Sequence, residues 1–127
     1  MTGPLAGLRV IGVGTRIAAP FCAGLLGALG ADGIKIENPN APDQGRLIGG
    51  GPAFTDKKMG VQYLTQGSNK KSLNLDLKKP KAREILRQFL KSADVFTEND
   101  APGPAGEPGP GYEEVGAGEA ACWEEGG

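Results

Sequence analysis

The chain of 127 residues contains no histidine, two cysteines, one tryptophan and no base beyond residue 100. Each shortage removes a class of function. Without histidine the commonest general base and metal ligand is missing, so Ser-His or Cys-His catalysis within this chain is excluded. Cys22 and Cys122 form neither a disulfide framework nor a metal-spaced cluster, and Cys22, inside a helical pattern, reads as a packing residue. The opening Met-Thr-Gly-Pro-Leu-Ala has no basic region followed by a long apolar run. The expectation is a cytoplasmic protein without signal peptide or membrane span.

Charge is scarce overall in net terms, at -1, but it is unevenly placed. Residues 1–100 hold all 14 Lys and Arg against 9 Asp and Glu, whereas residues 101–127 hold 6 Glu and no base. That basic excess is too thin for a nucleic-acid face, yet it suits an anionic small-molecule partner. The length allows one domain, near the small end for an α/β core.

Leu8-Arg-Val-Ile-Gly-Val13 is a short apolar run bounded by glycine, which reads as a buried strand. Pro20 sits where a helix would begin, with Phe21, Leu25, Leu26 and Leu29 forming its apolar face and Gly30 its C-terminal stop. Gly33–Glu37 reads as a second strand, completing a strand-helix-strand unit of a parallel sheet. Residues 38–60 read as a long surface loop. Tyr63, Ser72, Leu73 and Leu75 are assigned to two strand-like segments around Gly67-Ser68-Asn69. Pro80 opens a second helix, in which Ala82, Ile85, Leu86, Phe89 and Leu90 recur with helical spacing. Asp94–Thr97 is the next strand.

From residue 100 the composition changes. Residues 101–127 include 8 Gly and 4 Pro with little apolar bulk, a segment expected to stay largely without regular structure. The division is therefore 1–99, a folded α/β part, and 100–127, a Gly/Pro/Glu-rich tail.

Four stretches carry a resemblance: Gly14–Leu26, Leu29–Glu37, Val61–Lys78 and Ala93–Asn99. Together they resemble the opening of a class III CoA-transferase, a family that includes formyl-CoA and carnitine CoA-transferases and the related alpha-methylacyl-CoA racemases. The likeness covers about residues 4–112. It implies an N-terminal fragment of that fold, a Rossmann-like parallel sheet with flanking helices. It also implies transfer of CoA from an acyl-CoA to a carboxylic acid, with coenzyme A as substrate and not as a tightly held cofactor. Relatives form interlocked homodimers, and neither nucleic acid nor membrane is implied as a partner. The family's attacking aspartate, which forms a mixed anhydride with the acyl group, has no counterpart here, so the chain is expected to be inactive alone. Two alternatives stand beside this: a non-catalytic CoA- or nucleotide-binding module, and a non-functional fragment. Gly33, in a strand where a β-branched residue is expected, speaks for the latter.

The resemblance also implies site residues. Gly12-Val-Gly-Thr-Arg-Ile lacks both the third glycine of a dinucleotide loop and a Walker lysine. By resemblance this loop faces CoA, with Ile17 and Ala18 lining the nucleotide. Leu75, Asp76, Leu77 and Lys78 would wrap the adenine end, Lys78 approaching the ribose phosphate; taken alone, the same four residues are a half-buried strand with a solvated face. Asn99 matches an asparagine that lies along CoA. Asn38 stands where formyl-CoA transferase has a cofactor-binding arginine, Asp100 replaces an aromatic residue, and Glu107 stands at another arginine position. Each charged hydrogen bond lost to phosphate costs roughly 1.5–3 kcal/mol, so weakened CoA binding is expected.

Overall fold

Three short segments become strands because their neighbours bury them, and a fourth, mostly exposed, pairs along the sheet edge. In Arg9–Gly12 (β1) Val10, Ile11 and Gly12 are buried, as in a strand covered on both faces. Asp32–Glu37 (β2) flanks it on one side and Val95–Glu98 (β4) on the other, both parallel to it. Lys70–Asn74 (β3) pairs with β2 in parallel register, Gly33 opposite Lys70 and Glu37 opposite Asn74. In the computed structural model, residues 2–99 and the backbone of residues 121–124 are described. Ala121–Glu124 (β5) is a fifth parallel strand, on β4, which gives the order β3-β2-β1-β4-β5. That strand departs from the expectation of a structureless tail. The rest of residues 100–127, including Asp100 and Glu107, lies outside the described residues.

Ala18–Ala28 (α1) forms where a helix is expected, but with the opposite face inward. Phe21, Leu25 and Leu29 are 57, 52 and 41% exposed, while Ala19, Pro20, Ala23 and Gly27 are buried; of the expected face, Leu26 alone packs against the core. Small residues win the interior because they let the helix approach closely. A Cβ on Gly27 would stand 3.0 Å from the Asn69 carbonyl oxygen. The same rotation leaves Cys22 exposed, not packed.

Residues 38–60 are less loop-like than their composition suggests. Gln44–Leu47 forms a 3-10 turn and Pro52–Thr55 a single helical turn, α2. Val61–Gly67 is a helix, α3, so Tyr63 stands on a helix and not on a strand. Pro80–Leu90 (α4) follows its pattern: Ala82, Leu86 and Leu90 are buried against Ile11, Ile34, Ile36 and Phe96. Its proline occupies the first turn, where no intrahelical N–H is needed. Among the described residues no helix is long and apolar enough to cross a membrane.

Gly33 has a packing reason. A Cβ there would come within 2.9 Å of Lys70 Cγ, so glycine makes room for the lysine stem. Lys70 Nζ then donates to the Pro20 carbonyl at 2.6 Å, and burial, aided by the nearby Lys35 charge, lowers its pKa to about 8.

Candidate functional site

The strand order reverses at β1: the chain proceeds to β2 and β3 on one side and returns to β4 on the other. In an open parallel sheet such a switch leaves a crevice beyond the carboxyl ends of the strands. Two cavities open at that end. One, of about 370 Å³, is walled by Val13 and Thr15 after β1, Asn38 and Ala41 after β2, and Leu75, Leu77 and Lys78 after β3. The other, of about 300 Å³, lies between α1 and β4 and includes Ala18, Cys22, Thr97 and Asn99.

The expected residues therefore divide. Asn38, Leu75, Leu77 and Lys78 meet around the first cavity. Ala18 and Asn99 line the second, and Ile17, 59% exposed, lines neither. The segment 75–78 is not a strand: β3 ends at Asn74, and only the Leu75 N–H continues the pairing, donating to the Glu37 carbonyl at 3.0 Å. Residues 77 and 78 form a turn, held by Asp76, whose carboxylate accepts the Lys78 N–H at 3.2 Å and Asn40 Nδ2 at 3.2 Å. Asp76 thus joins two rims of the crevice. Asn38 caps its own turn by accepting the Asn40 N–H at 2.9 Å. Lys78 is exposed at the mouth.

Asn99 works as a clasp. Its Oδ1 accepts the Thr15 N–H at 3.0 Å and its Nδ2 donates to the Thr15 carbonyl at 3.0 Å. The approach needs Gly14, because a Cβ there would collide with both Ala19 Cβ and Asn99 Oδ1.

A buried charge network beneath the crevice escapes sequence reading. Lys35 Nζ pairs with Asp43 at 2.7 Å, and Glu37 pairs with Arg46 at 2.7 Å. Burial pushes the Asp43 carboxyl up. The Lys35 ammonium and the N–H groups of Arg16 and Gly45 outweigh this and hold it below its ordinary value. Burial likewise raises Glu37, but Arg46, the Asp43 N–H and the Lys35 charge bring it below the usual range. The Arg46 guanidinium lies 3.7 Å from the Tyr63 ring centroid and donates to its hydroxyl at 2.7 Å, tying α3 to β2. The available signal was Lys35 and Glu37 on one face of a strand that must be buried, with opposite charges a few residues on. Among the described residues no group of three His, Cys, Asp or Glu could hold a metal ion.

In open parallel α/β sheets the crevice at the switch point is the usual place for a ligand. The profile of CoA-transferase family III matches residues 5–119, and the chain belongs to that family. It is 42% identical over 102 residues to the succinyl-CoA--L-malate CoA-transferase beta subunit of Chloroflexus aurantiacus, covering 80% of this chain and 24% of the relative. It is 38% identical over 112 residues to the succinyl-CoA:glutarate CoA-transferase of Homo sapiens, covering 88% and 25%. A CAIB/BAIF family protein from Brucella suis superposes with a TM-score of 0.75 at 32% identity, over 92% of this chain and 31% of that one. The chain spans about a quarter of the length of the curated relatives it matches.

Proposed function

We propose that the cavity at the ends of β1, β2 and β3 takes the nucleotide end of coenzyme A. The observation that carries the reading is the meeting of Asn38 with Leu75, Leu77 and Lys78, distant from it in sequence, around one opening of about 370 Å³. Leu75 and Leu77 offer apolar surface to a base, and Lys78, exposed at the rim, offers a cation to a phosphate. Asp76 shapes the turn and Asn99 fixes the loop, so both act on CoA through other groups. Ile17 and Ala18 belong to the loop and helix start beside the cavity.

The reaction of the whole protein, in this reading, moves CoA from an acyl-CoA to a carboxylic acid. The relatives named for succinyl-CoA with malate or glutarate support a short dicarboxylic donor and acceptor. The carboxylate that attacks the thioester and carries the acyl group as a mixed anhydride has no counterpart among residues 1–127. The chain alone binds CoA weakly and does not turn it over. Lys78→Ala should weaken CoA binding about tenfold in low salt, the loss expected for one charged contact, and leave pantetheine binding unchanged. Calorimetry at millimolar ligand checks this. Equal CoA affinity for both chains would overturn the assignment of Lys78, and no binding by either would overturn the cavity's.

A further inference from the structure

We infer that Asp43 is a positioning residue for the crevice, holding the loop after β1 against the segment after β2 so that Thr15 forms a fixed cavity wall. This rests on the CoA reading of that cavity.

Asp43 is 3% exposed and is not among the residues that wall the opening. Its carboxylate reaches three segments. One oxygen pairs with Lys35 of β2; the other accepts the N–H of Arg16 at 3.0 Å and of Gly45 at 2.9 Å. Its own N–H donates to Glu37 at 2.6 Å, which fixes it to the end of β2. Lys35 Nζ also donates to the Gly14 carbonyl, at 3.1 Å. Gly14 and Arg16 are therefore both tied to Asp43, one of them through Lys35, while Asn99 grips Thr15 between them from the β4 side.

Arg16 shows why the tie is needed. Its φ is +64°, a left-handed conformation that a long side chain adopts rarely and keeps only where the surroundings impose it. Here the surroundings are the Asp43 carboxylate on its N–H and the neighbouring Gln44 amide oxygen, which accepts its Nε at 3.0 Å. Release of Asp43 would let residue 16 relax to negative φ and leave Thr15 held from the Asn99 side alone.

The test uses the full 127-residue chain with two variants. Asp43→Asn removes the charge opposite buried Lys35. Asp43→Glu keeps that charge but displaces the carboxylate by one methylene from its place between Lys35 and the Arg16 N–H. Amide exchange at Thr15, Arg16 and Ile17, compared with exchange in α4, reads the loop, and calorimetry reads CoA affinity. The expected result is exchange about tenfold faster or more at Arg16, unchanged protection in α4 and CoA affinity reduced about tenfold, as for loss of one hydrogen bond to a charged group. Unchanged exchange at Arg16 would overturn the inference, as would equal CoA affinity in a folded variant. Loss of α4 protection in both variants would make Asp43 a general folding residue and overturn it too. A wild-type chain that binds no CoA would remove the functional reading, and this role with it.

Discussion

Single residues at the end of the sheet act mostly by permitting close approach. Gly14 is the clearest, because the Asn99 amide occupies the space a side chain would need. Gly14→Ala should destabilise the fold by about 3 kcal/mol, the upper end for forced overpacking. A chemical denaturation series checks this. Asn99→Ala alone should cost about 1–2 kcal/mol for two lost hydrogen bonds to Thr15, and the two effects should be less than additive because they share one contact. Full additivity would mean that Gly14 serves something other than Asn99.

At the scale of elements, the Glu37–Arg46–Tyr63 stack fastens α3 and the 3-10 turn to β2. Glu37 is 4% exposed at its side chain and Arg46 19%. Arg46→Met leaves a buried carboxylate without its partner and should cost about 3 kcal/mol at neutral pH. The pH dependence has a fixed sign. Glu37 is held below its ordinary value of 4.5 in the fold, so its contribution is complete above that value and is lost as pH falls through the lowered folded value. In Arg46→Met, burial dominates Glu37 and protonation relieves it. Melting temperatures of the two chains should therefore begin to converge above pH 4.5, where Glu37 of the variant takes a proton in the fold, and go on converging below it as the wild type loses the pair. A gap that stays constant would show that the ion pair is not the source of the loss.

The elements also show what was legible in the residues and what was not. α4 is readable because its apolar positions face one core, and β1, β2 and β4 because each is a short segment centred on Val, Ile or Phe. α1 misled because its large apolar residues point outward while alanine and glycine pack, an arrangement that periodicity alone cannot orient. α3 was taken for a strand because its aromatic and β-branched residues suit either state; Arg46 and Tyr63 settle it through a contact between distant positions. In the site, resemblance singles out Leu75–Lys78 and Asn38, but residues 75–78 read as a strand where the structure has a turn, which depends on the Asp76 carboxylate accepting from Lys78 and Asn40. The Lys35–Asp43 pair was not legible, since a charge in a Pro- and Gly-rich loop carries no mark of burial.

For the whole molecule, the described residues form a parallel sheet with a cavity at the ends of β1, β2 and β3, in a chain that spans about a quarter of its curated relatives. On the proposed reading, affinity should lie in the nucleotide end of CoA. The most direct measurement is a titration of the isotope-labelled 127-residue chain with CoA, followed residue by residue in amide spectra. The account predicts saturable shifts at Thr15, Asn38 and Leu75 to Lys78, weakened by salt as exposed phosphate contacts are, and none along the exposed face of α4. Shifts centred elsewhere, or none at millimolar CoA, would contradict it.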